Sequence, residues 1–470
     1  YVTFTGWFVV DDFAFTSRAL EQPLLSVDYL FEPWNGHVMP GAFAWVHVLA
    51  NQWPLNYVPV GLGDLAVQAL TAWLVFLVLR ALFGARPGIL IPLGFYLFSV
   101  ITLPASLWWA AALNQLPGQL FAAAALWFHL GYLRRGSLRF GLGGVAMLLL
   151  GLLFSEKVLL VAPLLAALTF FYFTAGSPAL RLRRTIVDHR WVWCAYALVV
   201  LPYVVLYLVY VPGQVGTGAS IDTALHAVTI DLAKAVLPAV YGGPYAWLQL
   251  GIPAVANPST AVVVLSLMAT VLVVAWSVVR RYRAVFAWVV IGAYLVANAT
   301  IVGLTRGADF GPNVVLEYRY STDVALVIAV FAPLAFARIA GHDWRWRPQL
   351  LMPRRGGLGS LGAARPNEMA TTILVTSLLV AGSTVSTLQF STYWRNDVTR
   401  RFIATAQTDL ARSGRAVPLA DLTVPAAAAP PGLQMAWRRS CSRSAKHAAH
   451  TWADLGHTRY DWACPRAAPP

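Results

Sequence analysis

Residues 259–283 read STAVVVLSLMATVLVVAWSVVRRYR. No charge interrupts the stretch until Arg280, and then Arg281 and Arg283 follow at once. About 20 apolar residues carry a helix across the hydrocarbon core of a bilayer. Arginines at one end of such a run mark the cytoplasmic side. The stretch thus predicts a membrane-spanning helix and gives it a direction.

Similar runs fall near 58–83, 88–107, 117–133, 139–155, 158–175, 191–211, 284–304, 320–338 and 370–390. The opening YVTFTGWFVV reads as the end of a first helix, too short to span by itself, and no cleavable signal is visible. The expected fold is all-α, a polytopic transmembrane bundle of about eleven helices, the first truncated. Composition agrees. Of 470 residues, 58% are hydrophobic and 11% charged, and the mean hydropathy is +0.62. A soluble domain carries about 25% charged residues, so this chain cannot clothe a water-facing surface of its size.

The net charge of +14 would suit nucleic acid, but its distribution argues for a membrane and no nucleic-acid partner. One set of connections holds Arg80 and Arg86; Arg134, Arg135 and Arg139; Arg181, Arg183, Arg184 and Arg190; Arg280, Arg281 and Arg283; and Arg338, Arg345, Arg347, Arg354, Arg355 and Arg365. The alternate set, to residue 390, holds only Arg18, Lys157, Lys234, Arg306 and Arg319. The first set is therefore cytoplasmic. Two long outer loops follow, 11–57 and 212–258. Residues 1–390 form the membrane domain, 341–368 an inner linker, and 391–470 a short outer tail, its end poorly ordered. Arginine dominates lysine and Ala, Gly and Pro abound, a bias that points to GC-rich, bacterial coding and a multi-pass plasma-membrane protein. Cys194 reads as a packed core thiol. Cys441 and Cys464 could pair if the tail is extracytoplasmic.

Candidate chemistry gathers on the outer side. Asp11 and Asp12 are placed where the first helix leaves the membrane. One is a candidate general base, the other an orienting group or metal ligand; otherwise they mark a helix end. The stretch FEPWNGHVMPG, 31–41, sets Glu32 and His37 among aromatic residues, as a sugar-binding surface would, or as a half-buried helix and turn would. Glu156 and Lys157 form either a phosphate-binding site or a self-neutralised pair. Arg306 and Arg319 suit bidentate phosphate contact, unless Arg319 merely pairs with Glu317 or Asp323. Trp108 and Trp109 read as interfacial anchors; Asn114 and Gln115 could line a cavity. A metal, if present, would draw on Asp11, Asp12 and His37, in no recognised spacing.

The order DDF (11–13), FEPWNGHVMPG, SEK (155–157) and EYRY (317–320) along one face resembles the GT-C superfamily of membrane glycosyltransferases, over roughly residues 1–390. The resemblance implies a polyprenyl-phosphate-linked sugar as donor and a glycan, glycolipid or protein of the cell envelope as acceptor. It implies transfer with inversion, Asp11 or Asp12 as base, and Lys157, Arg306 or Arg319 on the donor phosphate. A divalent cation, Mg or Mn, serves some members and not others. Members with a large C-terminal domain differ from this chain. Two other readings stand beside the enzyme: a transporter or flippase of lipid-linked saccharides, which would place ionisable groups and broken helices at the bilayer midplane, and a non-catalytic relative in envelope assembly.

Overall fold

A computed structural model describes residues 2–211, 220–250, 253–341 and 366–395, with a few further positions up to 408. Cys441, Cys464, most of the inner linker and most of the tail lie outside the described residues. The described chain is helical apart from one ribbon, in which Trp247–Leu248 pairs antiparallel with Val255–Ala256.

Seven helices among the described residues are long and apolar enough to cross a membrane, Tyr57–Phe83, Arg190–Tyr210, Thr260–Arg280 and Ala284–Phe310 among them. Pro87–Phe98, Leu138–Leu152 and Val324–Phe336 are shorter apolar helices. This is a multi-pass membrane protein. The burial pattern gives the physical reason. On Thr260–Arg280 the buried side chains are Ser266 and Ser277, whereas Leu265, Leu272 and Val279 are 64%, 66% and 85% exposed. A soluble helix would show the reverse. Ser277 stays inside because its hydroxyl accepts Trp288 Nε1 at 2.8 Å. Cys194 follows the same logic and corrects the core-thiol expectation: it is exposed, on the Arg190–Tyr210 helix whose Leu198, Leu201 and Val205 also face outward.

The bundle has two chemically distinct ends. At one, Arg86 donates to Arg338 O at 3.1 Å, Arg134 to Ala340 O at 3.1 Å, and Tyr172 Oη to Arg283 O at 3.2 Å. Connections far apart in sequence thus converge there, all drawn from the arginine-rich set. At the other end lie the carboxylates and cations described below.

Residues 212–258 are not the plain outer loop expected. Where described, they contain an apolar helix, Ile221–Val240, with a π-helical stretch at Asp231–Val236. It packs antiparallel to Ala284–Phe310: a side chain at Gly307 would meet Thr223, and one at Gly303 would meet Ala224 and Ala227. Further down, Tyr241 Oη lies 3.1 Å from Thr270 Oγ1, halfway along Thr260–Arg280. The chain then turns and climbs back beside Pro366–Trp394. Ser386 holds the turn: its Oγ donates to Gly242 O at 2.7 Å and accepts Tyr245 N at 3.1 Å, and its carbonyl accepts Trp247 Nε1 at 2.9 Å. The element is re-entrant. Irregular backbone at such depth needs protein partners because lipid offers none, and Ser386 supplies them.

Trp108 and Trp109 are also corrected. Both are buried inside the protein, at 4% and 1% exposure, and do not anchor at an interface. Trp109 packs edge-on against Phe8 at 5.5 Å.

Candidate functional site

Residues 2–5 form one helical turn, followed by irregular chain from Gly6 to Val10. Asp11 and Asp12 therefore begin a helix, Asp11–Glu21, instead of closing one. Val10 has φ +45°, a conformation that a β-branched residue rarely adopts. Strain of this kind costs about 1–3 kcal/mol and collects at functional sites. Here it turns the two neighbouring carboxylates to different surroundings.

Asp12 is fully buried. Its Oδ2 accepts Val9 N at 2.8 Å and its Oδ1 accepts Ala110 N at 2.8 Å. Ala110 lies in the first turn of Trp109–Arg135, where backbone N–H groups have no helical partner. Asp12 thus caps a helix distant in sequence. Burial pushes its carboxyl well above the usual range, against the pull of these two N–H groups.

Asp11 is only partly buried and makes no hydrogen bond or ion pair among the described residues. It sits within electrostatic reach of Arg319, Arg306 and His37. Burial raises its pKa, and the three nearby groups hold that rise back.

The turn Trp34–His37 presents the next groups. Asn35 and Gly36 both have positive φ, +48° and +85°, as an Asn-Gly hairpin turn requires. Trp34 and His37 exchange two backbone hydrogen bonds at 2.9 Å. The exposed carbonyls are then claimed from elsewhere: Asn35 O by Arg306 Nη2, and Gly36 O by Tyr207 Oη at 2.7 Å. His37 Nδ1 lies 2.9 Å from Glu156 Oε1, and its Nε2 lies 3.3 Å from Arg306 Nη2. Since a guanidinium only donates, Nε2 is the acceptor and Nδ1–H donates to Glu156. Residues 37, 156, 207 and 306 meet in one polar cluster.

Arg319 lies on the Asp11 side. Its Nε is 2.8 Å from Glu317 Oε1, and its Nη2 donates to Glu317 Oε2 at 3.1 Å and to Tyr320 Oη at 2.8 Å. The guanidinium lies over the Trp108 ring, 4.4 Å from its centroid. Burial raises the Glu317 carboxyl pKa, opposed by Arg319. Burial disfavours charge on Arg319, but Glu317, Tyr320 and Asp11 outweigh it and raise its pKa. Arg319 therefore carries its own counter-ion. Arg306 does not: among the described residues it pairs with no carboxylate.

Two candidate residues stand apart from this arrangement. Glu32, the residue that ends the Val27–Phe31 helix, is exposed and pairs with Arg18 at 3.1 Å. Lys157 turns inward. Its ammonium donates to Asn298 Oδ1 at 2.7 Å, to Asp323 Oδ1 at 3.3 Å and to Tyr320 O. All three of its hydrogens are committed, so it offers none to a phosphate. It borders an internal cavity, together with Gln115, Gln119, Ser155, Tyr294 and Asp323. Gln115 thus lines a cavity, whereas Asn114 is simply buried.

Asp11, Asp12 and His37, the candidate donors should a metal be present, do not gather as one ligand set among the described residues. No group of three or more His, Cys, Asp and Glu side chains suited to a metal occurs among the described residues. Both Asp12 oxygens accept backbone N–H, and both His37 nitrogens are engaged.

Sequence reading passed over Tyr207, Asn298 and Asp231, and gave Tyr320 no role beyond its place in EYRY. Asp231 is fully buried on the re-entrant helix, with Ser321 Oγ 3.4 Å from its Oδ1. A charged residue inside an apolar stretch was the available signal, hidden by reading 212–258 as loop. No family model, curated protein or solved structure matches this chain.

Proposed function

We propose that the protein is a glycosyltransferase of GT-C type, moving a sugar from a polyprenyl-phosphate donor to a hydroxyl of a cell-envelope acceptor on the extracytoplasmic face of a bacterial plasma membrane. The observation that carries this reading is that one bundle end holds a carboxylate, Asp11, and a guanidinium, Arg306, neither of which forms an ion pair among the described residues though they lie within electrostatic reach of one another. A transfer reaction has a use for both. The Asp11 carboxylate takes the proton of the acceptor hydroxyl as its oxygen attacks the sugar C1. The bond from C1 to the phosphate oxygen breaks, and the polyprenyl phosphate departs with the negative charge. Arg306, with Arg319 behind it, offsets that charge as it grows. A single displacement inverts the anomeric centre. The count of about eleven crossings belongs to the same reading.

The chemistry needs no metal in this account. Asp12 and Glu156 hold the frame: Asp12 fixes the Trp109–Arg135 helix, and Glu156 orients His37.

Purified protein incubated with polyprenyl-phosphate sugars and acceptor should release the lipid phosphate, and Asp11→Asn should lose that release. Release at the wild-type rate in that variant would end the proposal.

A second reading draws on one specific observation. Asp231 sits on a re-entrant helix beside the Lys157–Asp323 pair, an arrangement also suited to a transporter of lipid-linked saccharide. Movement of intact donor across vesicles without lipid-phosphate release would favour it.

A further inference from the structure

The helix Pro178–Val187 lies at the arginine-rich end, between the spans Glu156–Phe173 and Arg190–Tyr210. Its two sides are the reverse of what a water-facing helix would show. Arg181 and Thr185, one turn apart, are buried against the protein, while Leu182 and Ile186 are each 54% exposed. Arg181 is held inside because its Nε donates to Gly176 O at 2.9 Å and its guanidinium lies 5.9 Å from the Phe286 ring. A helix of this kind, with basic residues beside an outward apolar stripe, lies in a membrane interface.

Leu182, Thr185 and Ile186 form one wall of a groove of about 400 Å³. Ala166, Ala167 and Phe170 of the preceding span and Trp193 of the following one complete its lining. Trp193 Nε1 donates to Thr185 O at 2.6 Å, so the indole N–H is already satisfied, and the other side chains of the lining apart from the buried Thr185 hydroxyl are apolar. Two arginines neighbour residues of its lining in the chain. Arg183 follows Leu182 and is exposed, with no hydrogen bond or ion pair among the described residues. Arg190 stands one turn before Trp193 on the neighbouring helix, also exposed. The nearby acid is Asp188, against Arg181, Arg183, Arg184 and Arg190.

We infer that this groove binds an anionic phospholipid of the surrounding leaflet, with an acyl chain between Phe170 and Ile186 and the headgroup phosphate between Arg183 and Arg190. An amphiphile satisfies both parts, since the exposed lining of the groove is almost wholly apolar, with the Thr185 hydroxyl buried beneath it, and arginines stand beside it. A zwitterionic lipid fills the groove equally but brings its own cation to the rim. The inference is independent of the transferase reading.

Native mass spectrometry of the full chain in detergent, titrated with dioleoyl-phosphatidylglycerol or dioleoyl-phosphatidylcholine, tests it. Wild type should prefer phosphatidylglycerol. Each basic residue near an anionic surface contributes enough that Arg183→Gln with Arg190→Gln should weaken that binding roughly 30-fold. Ala167→Trp fills the groove with the charges intact and should also lose the lipid. Arg280→Gln with Arg281→Gln removes the same charge elsewhere and should retain it. Equal affinity for both lipids in wild type would overturn the assignment. So would retention by Ala167→Trp, or an equal loss in the Arg280/Arg281 pair, which would reduce the effect to net charge.

Discussion

The Asp12 carboxylate accepts the backbone N–H of Ala110 at 2.8 Å, across 98 positions of sequence. Its neighbour Asp11 makes no such bond and faces the cations. Two adjacent, identical side chains therefore have different work, and substitution should separate them. Asp11→Asn should lower transfer by about 10²–10⁴-fold, the usual worth of a general base, with little change in thermal unfolding. Asp12→Ala should lower stability by about 1–3 kcal/mol, because it leaves the buried Val9 and Ala110 N–H groups unsatisfied. Differential scanning fluorimetry beside a turnover assay reads both. A stable, inactive Asp12→Ala with an active Asp11→Asn would reverse the assignment.

The pH dependence of Asp11 has opposite signs for rate and stability. Burial raises its pKa, and a base works only when deprotonated. Activity should therefore climb with pH through a midpoint above the ordinary carboxylate range. Its contribution to stability is fully present below the unfolded-state pKa and fades as pH rises through the raised folded value. Arg319 holds the rise back, so Arg319→Gln should move the acidic limb of the rate profile to higher pH. An unmoved limb would show that Arg319 does not act on Asp11.

Arg306 and Arg319 should also fail differently. Arg306→Gln strands no carboxylate, so the fold should hold while donor binding weakens, seen as a raised KM. Arg319→Gln leaves Glu317, largely shielded from water, without its ion-pair partner. Removing one member of a buried pair costs about 3–5 kcal/mol, so this variant should unfold at a clearly lower temperature. Equal melting temperatures for the two variants would contradict the pairing.

Lys157 should behave as a structural cation. Lys157→Met strands Asp323 and should destabilise by about 3–5 kcal/mol. Lys157→Met with Asp323→Asn removes both charges and should recover part of the loss. A double variant no better than the single one would mean that the ammonium matters for its bonds to Asn298 and Tyr320 alone.

Sequence carried the membrane class because the evidence for it is additive: each apolar run, such as Thr260–Arg280, repeats the same message. The two ends were legible too, since Arg86, Arg134 and Arg283 obey one charge rule. Individual roles were not. Asp11 and Asp12 differ only through the Val10 backbone and the arrival of Ala110. The partners of Lys157 come from 141 and 166 positions away. Trp108 and Trp109 have the composition of an interface and the burial of a core, because Arg319 and Phe8 cover them. The descent of Ile221–Val240 was masked by the Gly and Pro residues around it, which read as loop.

The grip of Ser386 on Gly242 and Tyr245 implies an order of assembly during synthesis. The segment that needs these bonds emerges from the ribosome well over a hundred residues before the helix that provides them. At about 5–20 residues per second, the Gly242 carbonyl and the Tyr245 and Trp247 N–H groups wait on the order of ten seconds for their partner. Nascent chains halted near residue 350 should therefore leave residues 241–247 open to water-borne labelling, and chains released past residue 400 should close them. Protection already complete in the shorter chains would show that the descent is secured without its last strut.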